Sequence, residues 1–548
     1  MTAASFAAPF TAPLPTDRAA LLQRLADEPR FDLAVVGGGA SGVGVALDAA
    51  VRGHSVLLVE AHDFAKGTSS RATKLVHGGV RYLVQGHIGL VREALHERVN
   101  LLRSAPHLAQ PLSFVMPSYR WWETPFYGVG LKLYDVLAGK AGLGDTQWLS
   151  AAQAVRLLPG VQSHGLKGGV QYWDGQFDDA RLALAVARTA ARAGALVLNH
   201  CAATEVLHDA GRVAGLVVQD AESGCTFRVQ AKCVVNATGV WVDALRQQDA
   251  QAGGGSARPM VAPSQGVHVV VDADFSPGGH ALLVPGTADG RVLFAVPWLG
   301  KLILGTTDTP RADVPLEPAP LAHELDFILQ EAGRYLQRAP TRADVRSTWV
   351  GLRPLVKPDG GESGSTQSIN REHAVVVSPS GLVTVTGGKW TTYRAMAEDV
   401  LAQCVAAGLL PPQGGSQTAG MRLVGANQDA GEAVSLSQPP GLHLYGAEQS
   451  AVADLPGADH WLAPGLSEAM VRFAARHEYA RTVEDVLARR SRLLFLDAAA
   501  AKNAAPAVAQ VLADALGTHG SGMRSSGMHD VQLNAFQQLA TDYAQHAA

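Results

Sequence analysis

The segment FDLAVVGGGASGVGVALDAAVRGHSVLLVE, residues 31–60, constrains this chain more than any other. FDLAVV is a short apolar, β-branched run of the buried-strand kind, and GGGASG is a glycine turn. VGVALDAAVRG is a helical run and SVLLVE at 55–60 a second strand. Gly37, Gly39 and Gly42 occupy the three positions of GxGxxG. The first permits a tight turn, the second lets backbone approach a pyrophosphate, and the third lets helix pack close to strand. Phosphates then sit at a helix N-terminus, where unpaired N–H groups and the dipole favour anions. Glu60 closes the second strand eighteen residues beyond Gly42, right for a carboxylate accepting from ribose hydroxyls. A lone glycine fingerprint is a weak signal. The strand before it and the Glu-ended strand after it make this one a dinucleotide site.

Three further segments bear on which dinucleotide. TSSRATKLVHGG at 68–79 places Ser69 and Ser70 just past the ribose carboxylate, in a polar loop able to follow the cofactor toward its reactive end. CVVNATGVW at 233–241 is a strand ending in a small-residue turn at Thr238 and Gly239, and LVTVTGGKW at 382–390 runs into Gly388 and Lys389 ahead of a helical stretch. One nucleotide contacted near 37, 238 and 388 is extended and embedded in its domain. No second GxGxxG is present for a nicotinamide. The residues point to tightly held FAD, with electrons leaving to something other than nicotinamide.

A chain of 548 residues exceeds one core, so two to four domains are expected. With 47% hydrophobic and 17% charged residues it buries large cores, and a net charge of −4 argues against nucleic acid as a bulk electrostatic partner. Cys201, Cys225, Cys233 and Cys404 have neither metal-ligand spacing nor disulfide-scaffold density, so no metal is expected. The first thirty residues lack the basic start and apolar run of a secretory signal. No window supplies eighteen uncharged apolar residues for a spanning helix, which leaves open a protein lying on the bilayer surface.

Short apolar strands at 266–272, 280–286, 291–297 and 301–308 predict an antiparallel sheet large enough to roof a pocket. Helical periodicity marks 17–29, 321–338 and 389–408, and composition shifts at 409–440 before further amphipathic helices. The expected fold class is α/β + α. A Rossmann-like FAD-binding domain at 31–408 follows an N-terminal extension at 1–30. It is interleaved with an antiparallel-sheet substrate cap, chiefly 80–165 and 258–350, and a C-terminal helical domain at 409–548 completes the chain.

Between Asp63 and Glu93 there is no carboxylate, yet Lys66, Arg71, Lys74, Arg81 and Arg92 all fall there. So one-sided a run suggests that an anionic group is held nearby.

The motifs DLAVVGGGASGVGVALDAA, TSSRATKLVHGGVRYL, FDDARL, VNATGVWVD, GTTDTP, WVGLRPL, REHAV and GGKWTTYR run in order from about residue 31 to 400. With them, and with the tail YARTVEDVLARR, the chain resembles FAD-dependent glycerol-3-phosphate dehydrogenase of the aerobic, respiratory type over nearly its whole length. The resemblance implies oxidation of sn-glycerol 3-phosphate to dihydroxyacetone phosphate through FAD, with reduction of membrane quinone. It also implies a cytoplasmic protein held peripherally at the inner face of the membrane, and leaves room for a homodimer. It implies a pocket in which Arg81, Tyr82 and Arg371 bind the substrate and Arg353 polarises the C2 hydroxyl. Lys389 would lie near flavin and substrate, with His77 and His268 handling the hydroxyl proton. A phosphomonoester suits two or three guanidinium groups. Where many relatives carry a lysine in KGxH, this chain has Gln265, so a positive charge near the pocket is expected to be missing. Gln265 still offers a donor.

WWETPFYGVGLKLYDVLAGK at 121–140 mixes aromatics and lysines as an interfacial helix does, although such a helix equally packs on a core. The rival functions are an oxidase passing electrons to oxygen, a flavoprotein acting on another small hydroxy acid or amine, and a non-catalytic flavin-binding protein.

Overall fold

The computed structural model describes residues 12–79, 88–288, 290–357, 372–426, 433–517 and 523–545. The chain's apolar runs form two sheets. The first has eight strands. The strands 373–377, 382–387, 226–236, 30–36, 56–59 and 196–198 lie in that order, and the meander 201–209 and 212–220 joins at 226–236. Arg30–Val36 is parallel to both Thr226–Asn236 and Val56–Val59, which places the C-terminal ends of three strands along one edge. Strands buried on both faces need continuous apolar sequence. The first strand shows this in place of an in–out alternation: Leu33, Ala34, Val35 and Val36 are all buried. The helices Ala40–Val51, Asp179–Arg192 and Tyr393–Ala406 cover one face.

The second sheet has ten strands, in the order 309–310, 261–272, 301–305, 293–298, 281–284, 109–118, 168–177 and 75–76. Ser347–Val356 pairs with Val261–Asp272, and Gln147–Ser150 with Gly168–Phe177. Almost every pairing is antiparallel, as the turn-separated strands predict; the one parallel pair joins Ala281–Val284 to Ala109–Ser118. This sheet takes in 75–76, 168–177 and 347–356, and so reaches past the bounds 80–165 and 258–350. The helix Ala322–Tyr335 packs on one face. On the other, Trp298 and Trp349 share a core with Phe495, Leu496 and the helices Glu468–His477, Ala498–Leu516 and Met523–Gln545.

The helical tail is therefore docked on both other units. Its contact with the dinucleotide unit includes the Phe64–Tyr479 ring pair and a set of buried ion pairs. Asp63 is fully buried and accepts from Arg489 and Arg490, Arg181 pairs with Glu478 at 2.9 Å, and Arg188 holds Glu448 through two bonds of 2.7 Å. Buried pairs of this kind give little net stability, but removing one partner leaves an uncompensated charge, so they fix how the units meet. The leading helix Arg18–Asp27 is part of the dinucleotide unit rather than a free extension, since Arg18 is buried against Asp220 and the carbonyls of Asn199 and His200.

The helix Glu123–Ala138 buries Gly128, Leu131 and Tyr134, and its other side is bare. Trp121 is 82% exposed, Val129 68% and Val136 75%, with Trp122, Phe126 and Leu133 exposed between them. Residues 122, 126, 129, 133 and 136 follow helical spacing, so these side chains form one outward stripe. The helix therefore packs on the core along one side and presents an apolar face on the other. None of the described helices is long and apolar enough to cross a membrane.

Candidate active site

A cavity of about 1400 Å³ runs from the C-terminal edge of the first sheet to the second. Its floor is the glycine turn. Gly37 has φ +110°, and a Cβ there would lie 2.6 Å from the Ala237 carbonyl oxygen. A Cβ on Gly42 would lie 1.9 Å from the Gly37 carbonyl, so this glycine permits the turn to close and is not itself on the cavity wall. Gly39 caps the helix Ala40–Val51 without a capping side chain, leaving first-turn N–H groups toward the cavity. Ser69 Oγ accepts the N–H of Ala40 at 2.9 Å.

Glu60 follows the strand Val56–Val59, and its two carboxylate oxygens accept the N–H groups of Gly38 at 2.6 Å and His62 at 2.9 Å. Burial pushes its carboxyl up from the ordinary range, and those two N–H bonds oppose the shift. Each oxygen keeps a lone pair for a hydroxyl donor. Thr238 and Gly239 lie on the same wall, as do Gly388 and Lys389. Gly387 and Gly388 have φ +79° and +70°, and a Cβ on Gly388 would meet Met396 Sδ at 2.5 Å. A cradle that any Cβ would fill, beside a helix N-terminus and a carboxylate holding backbone N–H groups, fits an extended dinucleotide.

The far wall is built on Val261–Asp272 and its partner Ser347–Val356. Side chains alternate along a strand, so Gly266 and His268 share the cavity face. Arg353 reaches across Gly266. Its guanidinium donates to the carbonyls of Thr307 at 3.0 Å and Gln265 at 3.2 Å and to Thr306 Oγ1 at 3.2 Å, with Asp308 at 3.4 Å. A Cβ on Gly266 would sit 2.3 Å from an Arg353 amino nitrogen, so the arginine lies there because that residue is glycine. His268 stacks on Trp349 at 5.3 Å between ring centroids, and its Nε2 is 2.9 Å from Thr73 Oγ1. Burial, then Lys74 and Arg353, hold its pKa well below the usual histidine range. The ring is thus neutral near pH 7, and a dianion entering the cavity offsets the cationic field that weakens it as a base.

The cationic run is explained mostly by protein carboxylates from distant segments. Lys66 pairs with Glu317 and Glu484, Arg71 with Glu317, and Lys74 with Asp179 at 2.8 Å. The inference that the run holds an outside anion does not hold for these three. Lys74 has no exposure and lies among Trp298, Trp349 and Phe495. Burial lowers its pKa to about 7 although Asp179 opposes the shift.

Of the residues expected at the site, Gly37, Gly39, Glu60, Ser69, Thr238, Gly239, Gly388, Lys389, His77, His268 and Arg353 line the cavity together. Arg81, Tyr82 and Arg371 lie outside the described residues. Ser70 does not line it: the residue is buried, its hydroxyl faces the Gly67 carbonyl, and its own carbonyl accepts from Lys74 and Arg492 at 2.8 Å each. Gln265 is also turned away. It is fully buried, donates to Glu324 and accepts from Arg311 at 2.7 Å, so a charge at this position would face Glu324 and not the cavity. Gly266 and Thr73 escaped the sequence reading. A glycine inside a strand marks a close approach, which was a usable signal for the first; nothing in the sequence singles out the second.

Residues 32–394 match the family model described as FAD dependent oxidoreductase, and residues 416–521 match the C-terminal domain of alpha-glycerophosphate oxidase. The mitochondrial glycerol-3-phosphate dehydrogenase of Mus musculus is 42% identical over 91% of this chain and 72% of its own length. That of Arabidopsis thaliana is 40% identical over 90% of this chain and 84% of its own. The crystal structure of glycerol-3-phosphate dehydrogenase from Bacillus halodurans complexed with FAD superimposes with a TM-score of 0.74 at 28% identity, covering 97% of each chain.

Proposed function

The chain belongs to the FAD-dependent glycerol-3-phosphate dehydrogenase family, and from that premise we propose that it oxidises sn-glycerol 3-phosphate to dihydroxyacetone phosphate and passes the electrons to a membrane quinone. The observation that carries the proposal is the continuity of one cavity from the Gly37–Glu60 cradle to the His268–Arg353 wall. FAD, the cofactor of the family, supplies the two-electron acceptor when bound in the cradle.

The chain's own residues orient and polarise. Arg353 is held by the Gln265 and Thr307 carbonyls, Thr306 Oγ1 and the Asp308 carboxylate before substrate arrives, so its guanidinium is pre-aimed at the oxygen on which negative charge develops. In a closed cavity such a donor needs no reorganisation at the moment of reaction. Lys389, on the wall between cradle and substrate side, adds positive charge there. Arg81 and Arg371 are assigned to the phosphate and Tyr82 to the substrate wall, on the strength of the family motifs. Phosphate binding remote from C2 pins the reacting carbon, so remote binding energy serves the chemical step. His268 and His77 are assigned to the hydroxyl proton.

The exposed apolar stripe on Glu123–Ala138 supports an association with the membrane surface, where a lipid-soluble acceptor is met. The Mus musculus and Arabidopsis thaliana relatives are named as mitochondrial proteins; for this chain the reading is a peripheral protein at the inner face of the cytoplasmic membrane. Activity measured with a quinone analogue, alongside oxygen uptake, tests the acceptor. The expected outcome is quinone reduction with sn-glycerol 3-phosphate, none with glycerol, and little peroxide. Stoichiometric oxygen uptake without quinone would make the protein an oxidase.

A further inference from the structure

His268 has one polar outlet. The residue is 2% exposed, and its Nδ1 is enclosed, with no hydrogen-bond partner among the described residues. Trp349 covers a ring face, and Gly305 backs against the Cδ2–Cγ edge so closely that a Cβ there would lie 2.6 Å from Cδ2. That leaves Nε2, which is 2.9 Å from Thr73 Oγ1. Thr73 is half-buried and lies on the cavity wall. An imidazole with one nitrogen sealed and the other against a hydroxyl exchanges protons through that hydroxyl.

Thr73 is also held in place from both sides. The fully buried Asp179 Oδ2 accepts the N–H of Ala72 at 3.0 Å and the Lys74 ammonium at 2.8 Å, the residues flanking Thr73. Arg492 donates to the other oxygen at 3.0 Å. A carboxylate fixed by two cations thus clamps the backbone around one hydroxyl, which is how a reacting group is held to the tolerance catalysis needs.

We propose that Thr73 is a catalytic residue, passing the proton of the substrate's C2 hydroxyl to His268 Nε2. The proposal rests on the reading that a secondary hydroxyl is oxidised here. In the step, the substrate O–H bond breaks and its proton goes to Thr73 Oγ1 while the proton of Thr73 goes to Nε2. The C2–H bond breaks as the carbonyl forms, and its hydrogen leaves with the electron pair to FAD, the oxidant. Thr73 ends as it began, and His268 holds the proton until product leaves.

The test follows anaerobic bleaching of the bound flavin by sn-glycerol 3-phosphate in wild type, Thr73→Val, Thr73→Ser, His268→Asn and the Val/Asn double variant, with FAD content and melting temperature as controls. Loss of a positioned proton-transfer group slows the step by about 10²-fold or more. Thr73→Val is expected to show that loss at unchanged FAD content, Thr73→Ser to recover most of it, and Thr73→Val to add nothing to His268→Asn. Wild-type bleaching by Thr73→Val, or losses that multiply in the double variant, would overturn the proposal alone. A wild-type flavin that stays yellow would overturn the underlying reading and the proposal with it. Should Thr73→Val lose FAD, a proton inventory on wild type decides: two protons moving together bow the plot of rate against deuterium fraction, and a straight line overturns the relay.

Discussion

At the scale of single residues, the site depends on places where a side chain is missing as much as on those it displays. Arg353 lies over Gly266, where a Cβ would come within 2.3 Å of its guanidinium. Gly266→Ala displaces the guanidinium, and on the role proposed for Arg353 the expected result is a loss of about 10²–10³ in kcat, the size seen when an oxyanion donor is removed. FAD content should stay at the wild-type level, because the cradle is on the other sheet. Steady-state rates together with flavin content check this. The motifs that carry His268 and Arg353 singled out two residues that line the cavity. Ser70 was misread because its neighbour Ser69 does face the cradle, and one turn of backbone sends the two hydroxyls different ways.

Among the elements, the strand Val261–Asp272 shows how far a sequence pattern reaches. Its period of two already separates Gln265 from His268, three positions apart and therefore on opposite faces. That alternation turns residue 265 toward Glu324 and Arg311, so the expected gap in charge falls away from the cavity. The pairing of Lys66, Arg71 and Lys74 with Glu317, Glu484 and Asp179 was beyond local reading, since those carboxylates come from segments more than a hundred residues away. The helix Glu123–Ala138 was legible as amphiphilic, while its bare face emerged only once its buried face was known. Phe126→Glu with Val129→Glu puts two charges on that stripe and away from the cavity. We expect weaker co-sedimentation with phospholipid vesicles and unchanged flavin bleaching by sn-glycerol 3-phosphate. Equal vesicle binding by the double variant would remove the membrane role from this helix.

For the whole molecule, the three units meet through buried ions as well as a shared core. Glu484 joins the tail to Lys66 of the dinucleotide unit, and Arg489, with Lys66, overcomes burial to lower its pKa from 4.5 to about 2. Asp485 is held well below its usual range by His200 and Arg489. A carboxyl depressed in the folded state contributes stability that is complete above its unfolded pKa and is lost as pH falls through the folded one. The helical tail should therefore stay docked down to about pH 4.5 and loosen progressively toward pH 2, and melting temperature followed across that window measures it. A melting temperature flat over the same range would remove this contact as the acid-sensitive joint.

We propose that one cavity holds FAD at one end and reads a phosphorylated secondary alcohol at the other. The direct measurement is the absorbance of the oxidised flavin near 450 nm in the purified, oxygen-free protein on addition of sn-glycerol 3-phosphate. The expected result is a yellow protein that bleaches promptly with this substrate and stays yellow with glycerol. A yellow protein indifferent to both, or one that glycerol bleaches as fast, would contradict it.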